Sequence, residues 1–169
     1  MLKVILYMAI SINGYIAKED DNTNWISGEE WNSYSRMVQK AGNLIVGHRT
    51  YNILTNQPEF AEFKDVKLVV VSNTDFQTLS ANHLTARTPK EALALLKDFN
   101  EVIVAGGGIL NASFMKDDLI DEIYIDIEPL AIGKGIKLFA DEDFEANLIL
   151  LKTNKISDNE IQLHYAVKK

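Results

Sequence analysis

Short apolar runs alternate with the beginnings of helices along this chain, and this alternation restricts its fold more than any other feature. The runs cover residues 2–10, 44–47, 66–71 and 102–105, and each has the length of a β-strand. Apolar runs with little polar alternation are typical of strands that are covered on both faces, as in parallel sheets. We therefore predict an α/β fold, a three-layer sandwich in which helices cover both faces of a mostly parallel sheet.

Signals for helix starts and ends lie where this fold needs them. Ser27 followed by Glu30 forms a capping-box pattern, and Thr88 before Pro89 gives a second start. After the first start, apolar residues recur with helical spacing until Gly42, where the helix should end. These signals predict helices that begin shortly after residues 27 and 88.

The C-terminal part of the chain predicts strands. Residues 120–129 alternate between apolar and polar side chains, as a half-exposed strand does. Residues 148–155 and 161–168 predict an antiparallel hairpin at the edge of the sheet. Residues 15–17, which follow an Asn-Gly turn signal, either extend the first strand or begin a second one. No repeat or linker interrupts this order, so we expect residues 1–169 to form a single domain.

The composition excludes several classes of site and partner. The chain has no cysteine, which excludes disulfides, thiolate zinc sites and a cysteine nucleophile, and its three histidines are too scattered to predict a metal site. A net charge of −7 disfavours binding to nucleic acid. The apolar runs are much shorter than a membrane span, and the first residues do not form a signal peptide. We therefore expect a cytoplasmic protein with no membrane partner.

Three consecutive glycines, Gly106-Gly107-Gly108, join the strand of residues 102–105 to a helical pattern over residues 109–115. Without a Cβ, glycine lets an anion approach the main chain, and the start of a helix adds unpaired N–H donors. The motif predicts a phosphate-binding site; the alternative is that the glycines only turn the chain. The Rossmann fingerprint is incomplete, because its third glycine position falls on Asn111.

A second junction between a strand and a helix, Gly47-His48-Arg49-Thr50, has the same chemistry. Gly47 allows close approach, Thr50 adds a hydroxyl, and Arg49 adds positive charge, as does His48 when protonated. Ligands of open α/β sheets bind where the strands end, so two such junctions at one edge could hold the two halves of a dinucleotide. The alternative for this junction alone is an ordinary turn with a solvated arginine.

Four segments, in this order, resemble the dihydrofolate-reductase-like fold. The resemblance is strongest to the C-terminal reductase domain of bifunctional riboflavin-biosynthesis deaminase–reductases and its small stand-alone relatives. The segments are residues 11–17, similar to a serine-leucine-aspartate-glycine-x-isoleucine-alanine signature; residues 47–51, similar to a glycine-arginine-x-threonine-aromatic motif; residues 105–108, the cofactor glycines; and residues 119–139, similar to an aspartate-glutamate strand followed by a glycine-x-glycine-x-x-leucine-phenylalanine stretch. Together they span most of the chain.

The resemblance implies NADPH as the hydride donor. It places the nicotinamide near Ala9 and Ile16, and the adenosine end near Ser72 and Asn73. The implied pyrophosphate contacts are the two glycine junctions: Gly47, His48, Arg49, Thr50, Gly106, Gly107, Gly108, Ile109 and Leu110. The arginine that follows the family's first glycine is His48 here, and the arginine is displaced by one position. Because a 2′-phosphate prefers a guanidinium group, NADH stays open as an alternative cofactor.

The implied substrate is a small heterocycle, a pterin as in dihydrofolate reduction or a pyrimidine as in the riboflavin pathway. Reduction of a C=N bond places a hydride on carbon and a proton on nitrogen, which calls for a carboxyl group or an ordered water near the nicotinamide. Glu30 and Asp126 are the candidates. Glu30 has a structural alternative in the capping box, and Asp126 has one on the solvent-facing side of its strand.

Aromatic and amide side chains near the first helix are candidates for contacting the substrate. Trp25, in the loop before the helix, is predicted to be the wall for a stacked ring, whereas Trp31 falls on the apolar face of the helix and is predicted to belong to the core. Tyr34 and Asn13 are the other candidate contacts. Asn13 replaces the aspartate that is usual in the resembling signature.

Two further expectations concern the class of protein and its assembly. A non-catalytic nucleotide-, flavin- or folate-binding protein on the same scaffold is the alternative to an enzyme, because a fold does not fix a function. Relatives in the resembling branch form homodimers through the sheet. Here the strand of residues 120–129 or the C-terminal hairpin could provide that contact.

Overall fold

The computed structural model describes residues 2–169. Its strands are β1 (Lys3–Ser11), β2 (Tyr15–Lys18), β3 (Asn43–Gly47), β4 (Lys67–Val71), β5 (His83–Ala86), β6 (Glu101–Val104), β7 (Glu122–Glu128), β8 (Gly135–Lys137), β9 (Leu148–Lys155) and β10 (Ile161–Val167). An eight-stranded sheet has the order β5-β4-β3-β6-β1-β7-β10-β9. Its neighbours are parallel up to β7, and β10 and β9 then add an antiparallel hairpin. The predicted mostly parallel sheet with an antiparallel C-terminal hairpin is confirmed.

The helices cover both faces of this sheet. They are α1 (Gly28–Ala41), α2 (His48–Thr55), a 3-10 helix (Pro58–Phe63), α3 (Pro89–Leu95) and α4 (Gly108–Lys116). Alternate residues of β1 point to opposite faces, as the pleat of a strand requires. Tyr7 packs in a core with α1, α2 and the 3-10 helix, and Leu6 packs in a second core with α3 and α4. The predicted three-layer sandwich is therefore confirmed.

Local capping chemistry explains where the helices begin and end. The backbone N–H of Glu30 donates to Ser27 Oγ at 2.9 Å, and that of Glu91 donates to Thr88 Oγ1 at 3.2 Å, as expected for N-caps. Gly42 ends α1 in the left-handed conformation, with φ of 71°, and its N–H donates to Val38 O at 2.8 Å. Glycine adopts this conformation without the steric cost that a Cβ brings.

The strand that was expected to be half-exposed has no exposed residue. β7 lies between β1 and β10, and Asp126 is only 1% exposed. The prediction of a solvent-facing side was wrong because Asp126 and Glu128, two of the polar residues that alternate with isoleucine, are buried. Neither β5 nor β8 was predicted, since runs of four and three residues are too short to show a period. Residues 15–17 begin a second strand, which pairs with β8 in a separate small sheet.

None of the helices within residues 2–169 combines the length and the apolar character that crossing a bilayer requires.

Candidate functional site

The carboxyl ends of β1, β3, β4 and β6 meet at one edge of the large sheet and open into a cavity of about 1290 Å³. Residues of α1, of the loop before it, and of the starts of α2 and α4 complete its wall. Pockets for one small molecule usually measure about 300–1,000 Å³. The cavity is therefore large enough for a nucleotide and a second small ligand side by side.

The two glycine junctions lie against each other at the centre of this edge. The N–H of Gly47 donates to Gly106 O at 2.8 Å, and β3 and β6 are neighbours in the sheet. Gly47 and Gly107 are the N-caps of α2 and α4, and neither helix start has a side-chain cap. The first N–H groups of both helices are thus free of side-chain acceptors at the cavity wall, where they can bind an anion.

Packing within the protein, rather than a ligand in the cavity, requires glycine at position 108. A Cβ on Gly108 would lie 2.5 Å from Lys137 O, because the small sheet and the segment after it press against the start of α4. The N–H of Ala140 donates to Gly108 O at 3.0 Å, and Asn111 Nδ2 donates to Leu138 O at 2.9 Å. Asn111 occupies the position where a Rossmann fold has its third glycine. Its buried side chain therefore connects α4 to this segment by a hydrogen bond.

The structure brings together every residue that was expected to contact the cofactor. All of them line the cavity: Ala9, Ile16, Gly47, His48, Arg49, Thr50, Ser72, Asn73, Gly106, Gly107, Gly108, Ile109 and Leu110. Ala9 and Ile16 are buried and apolar, and Ala9 lies on β1, away from β4 in the sheet. Directly after β4, Ser72 Oγ lies 3.4 Å from His48 Nδ1, and the His48 ring stacks on Phe76 at 3.9 Å.

Two arginines reach the cavity wall, and only one was predicted there. Arg49 Nε donates to Asp21 Oδ2 at 2.6 Å, which ties α2 to the loop before α1. Arg87 was missed because it follows β5, a strand that the sequence pattern did not reveal. Its Nη1 donates to Ser72 O at 3.2 Å, and its guanidinium forms an ion pair with Asp75. Arg87 therefore lies beside the same serine as His48.

Glu30 lines the cavity and does not complete the capping box. The backbone N–H of Ser27, which Glu30 would have to accept in that motif, instead donates to Glu128 Oε1 at 2.9 Å. The Glu30 side chain is 5% exposed. Burial, and then the charges of Asp126, Glu128 and Glu160, raise the pKa of Glu30 well above its ordinary value. The carboxyl group thus favours its protonated form, as a general acid must.

Asp126, the other predicted acid, lies behind the cavity wall. Its Oδ1 accepts a hydrogen bond from Gln162 Nε2 at 2.8 Å, and its Oδ2 accepts one from the hydroxyl of Tyr7, which does line the cavity. Burial raises the pKa of Asp126 to about 6, although the bonds from Tyr7 and Gln162 oppose this. Of the two predicted acids, Glu30 therefore lines the cavity itself, whereas Asp126 reaches it only through Tyr7.

The candidate substrate contacts divide into two groups. Tyr34 lines the cavity beside Glu30, and so does Trp31, which also stacks on Phe63 of the core. Trp25 and Asn13 lie outside the cavity wall. Trp25 Nε1 donates to a backbone carbonyl of its own loop, and Asn13 Nδ2 donates to the carbonyl of residue 132 at 2.7 Å. The aromatic wall is thus Trp31, which α1 places toward the cavity, whereas Trp25 and Asn13 hold loops.

These features define a class of protein. A three-layer α/β fold with two glycine-rich helix starts at one sheet edge, and a buried protonatable acid across the same cavity, is reductase-like and of the dihydrofolate-reductase type. The chain belongs to the RibD C-terminal domain family, whose sequence profile matches residues 2–162.

Individual relatives agree with this assignment. The chain is 35% identical to the uncharacterized protein YwjB of Bacillus subtilis strain 168, over 96% of this chain and 97% of that protein. It is 31% identical to dihydrofolate reductase type 1 of Escherichia coli, over 76% of this chain and 78% of that protein. The crystal structure of a candidate riboflavin biosynthesis protein from Shewanella sp. PV-4 matches with a TM-score of 0.81, 22% identity and 99% coverage of both chains.

Proposed function

We propose that this protein is an NADPH-dependent reductase that transfers a hydride to a pterin- or pyrimidine-like heterocycle. The observation that carries the proposal is that the glycine junctions and the buried Glu30 line the same cavity. The two glycine junctions fit a phosphate chain because Gly107 has no side chain beside Thr50. A Cβ there would come within 3.3 Å of Thr50 Oγ1. Membership of a reductase-like family supports the same conclusion.

Different residues of the cavity would bind the pyrophosphate and the nicotinamide. The helix starts at Gly47 and Gly107 would hold the pyrophosphate through their N–H groups, with the Thr50 hydroxyl as a further donor. Ala9 and Ile16 would exclude water from the nicotinamide, which strengthens electrostatic interactions at the reacting atoms. When bound, the reduced nicotinamide supplies the hydride.

Glu30 supplies the proton. In the proposed reaction the carbon of a C=N bond gains the hydride, and the nitrogen gains the proton of the Glu30 carboxyl, which is left as a carboxylate. The rings of Trp31 and Tyr34 would position the planar heterocycle between the acid and the nicotinamide. Glu30 then takes up a proton before the next cycle.

Binding and turnover measurements test this function. NADPH and NADH are titrated by calorimetry, and single-turnover oxidation of NADPH is then followed at its absorbance with dihydrofolate and with a phosphoribosylaminopyrimidine. We expect NADPH to bind and one of the two ring classes to be reduced. Tight binding without hydride transfer to either class would instead support a non-catalytic nucleotide-binding protein, and absence of nucleotide binding would contradict both functions.

Arg87 should determine the preference for the phosphorylated cofactor. Arg87 and His48 both contact Ser72, so we expect Arg87 to contact a 2′-phosphate. Arg49, the other arginine at the cavity wall, pairs with Asp21 instead. A hydrogen bond to a charged group contributes about 1.5–3 kcal/mol, so Arg87→Gln should weaken NADPH binding by about 10- to 100-fold and leave NADH binding unchanged. The surface variant Arg36→Gln is the control. Equal losses for both cofactors would contradict this role.

An exposed apolar strand supports a homodimer. β9 is an edge strand, and the side chains of Leu148, Ile149, Leu150 and Leu151 are 43–53% exposed. Unpaired edges with exposed apolar residues are typical of surfaces that bind another chain. We expect light scattering to give twice the 19.0 kDa mass of the chain, and the double variant Ile149→Lys/Leu151→Lys to be monomeric. Ile12→Lys, in an exposed loop, should leave the dimer intact; a monomeric wild type would contradict the interface.

A further inference from the structure

A second set of cavity residues is separate from the proposed cofactor contacts. It comes from α1, from the last turn of α2 and from the start of the 3-10 helix. We call this set the helix wall: Glu30, Trp31, Tyr34, Leu54, Gln57 and Glu59. The three helices pack on one another, since Tyr34, Leu54 and Phe63 share one core and the Trp31 ring stacks on Phe63 at 5.6 Å. The helix wall is therefore one part of the cavity rather than a set of scattered positions.

The helix wall contains no basic side chain. Trp31, Tyr34 and Leu54 give it an aromatic and apolar surface, and the half-buried Gln57 adds an amide that can donate and accept hydrogen bonds. Its two carboxyl groups are those of the buried Glu30 and an exposed glutamate at position 59. An anionic group bound there would lose its water and gain no positive partner, which is costly for a buried charge.

The basic side chains of the cavity belong to other elements. Within residues 2–169, those that line it are His48, Arg49, Arg87 and Lys137. Arg49 Nε lies 2.6 Å from Asp21 Oδ2, and Lys137 Nζ lies 2.8 Å from Asp141 Oδ1. Arg87 forms an ion pair with Asp75. Three of the four therefore already have an acidic partner, and His48 and Arg49 start α2 at the glycine junction that would hold the cofactor.

The helix ends do not replace the missing positive charge. α2 begins at its N-cap Gly47 and directs its positive end to the glycine junction, whereas its last turn contributes Leu54 to the helix wall. The last carbonyl groups of a helix carry partial negative charge. α1 does start at the cavity, but Ser27 Oγ accepts the N–H of Glu30, and Glu29 and Glu30 place two carboxyl groups in its first turn.

We propose that the substrate is a neutral heterocycle without a phosphate or carboxylate substituent, and that the helix wall selects for it. This inference rests on the proposed function and narrows its substrate. The rings of Trp31 and Tyr34 would contact the planar ring, and the Gln57 amide would hydrogen-bond to its polar edge. The ribose phosphate of a pyrimidine or the glutamate tail of a folate would find no basic partner on the helix wall.

Calorimetry with the protein alone tests this selectivity without hydride transfer. Two ligand pairs share a ring and differ in charge: biopterin against folate, and an aminopyrimidine riboside against its 5′-phosphate. For the ring class that binds, we expect the neutral member to bind at least about tenfold more tightly, since a charged group left without a partner is costly. An anionic member that binds as tightly as its neutral partner would overturn the proposal, and so would failure of all four ligands to bind.

Charge reversal on the helix wall tests whether this surface causes the selectivity. Glu59→Lys adds a basic side chain at an exposed position, so we expect it to reduce the affinity ratio between the neutral and the anionic member about three- to tenfold. Glu145→Lys makes the same change in net charge at an exposed position outside the cavity wall, and it should keep the wild-type ratio. Equal changes in both variants would attribute the effect to net charge and overturn the role of the helix wall.

Turnover with NADPH separates this inference from the proposed function. The reducible probes are 7,8-dihydrobiopterin against dihydrofolate, and the riboside against its phosphate, compared by kcat/KM. Hydride transfer that is equally efficient for the anionic members would overturn the selectivity and leave the reductase function in place. Tighter binding of the neutral rings without hydride transfer to any of them would contradict the reductase function and still support the selectivity of the helix wall.

Discussion

We expect the replacement of Glu30 by glutamine to lower the rate of hydride transfer by about 100- to 10,000-fold, the range for removal of a general acid. Glutamine keeps the shape of the side chain but has no carboxyl proton to give. Because Glu30 belongs to α1 and to neither glycine junction, NADPH affinity should not change. Stopped-flow measurement of NADPH oxidation gives the rate, and calorimetry gives the affinity.

The neighbouring acid provides a matched control. Glu29 is one residue away in the first turn of α1 but is exposed, so Glu29→Gln should keep the wild-type rate. The wild-type rate should fall as pH rises through the raised pKa of Glu30, because only the protonated acid donates. A Glu30→Gln enzyme with the wild-type rate and pH profile would show that the proton comes from elsewhere.

Glu30→Gln should also change how the stability of the protein depends on pH. The pKa of Glu30 is higher in the folded than in the unfolded chain, so the folded state binds the proton more tightly. The contribution of Glu30 to stability is therefore fully present below the unfolded pKa of about 4.3 and is lost as pH rises through the folded value. Chemical denaturation should show this loss to be smaller in Glu30→Gln than in the wild type.

We expect the replacement of Gly107 by valine to weaken NADPH binding at least about 100-fold and to leave the fold intact. The backbone of Gly107, at φ −79° and ψ −170°, is accessible to any residue. Its Cβ would meet only the Thr50 side chain, at 3.3 Å, while the remaining valine atoms would fill the space intended for the phosphates. Calorimetry with NADPH and circular dichroism measure the two effects.

A glycine outside the cavity serves as the matched control. A Cβ on Gly133 meets nothing within 4 Å, and the residue does not line the cavity, so Gly133→Val should bind NADPH as the wild type does. If Gly107→Val bound NADPH with unchanged affinity, the pyrophosphate would have to lie elsewhere.

Features that depend on local spacing could be predicted from the sequence. The caps at Ser27 and Thr88, the C-cap at Gly42 and the order of strands and helices each follow from a few neighbouring residues. The adjacency of the two glycine junctions also followed, since parallel strands end at the same sheet edge. These signals act over one or two turns of chain, and distant contacts do not change them.

Features that depend on distant contacts could not be predicted. The sequence spacing left a role in the capping box open for Glu30 beside that of an acid, but Glu128, about a hundred residues away, accepts the Ser27 N–H instead. Alternation in β7 suggested that Asp126 faces solvent, whereas Gln162 from β10 and Tyr7 from β1 enclose it. A period of two in the sequence indicates only which face of the strand a side chain lies on. Contacts with other strands determine whether that face is exposed to solvent.

The close approach of Lys137 O to Gly108 means that two neighbouring glycines should tolerate substitution differently during evolution. Position 108 is closed to larger residues by the protein's own backbone, whatever the protein binds. At position 107 a Cβ would meet only the Thr50 side chain, at 3.3 Å, besides the ligand that we propose. A lineage that stopped using a nucleotide would therefore accumulate substitutions at 107 while 108 stayed glycine. Among homologues, the state of position 107 alone should separate the members that still bind a dinucleotide from those that retain only the scaffold.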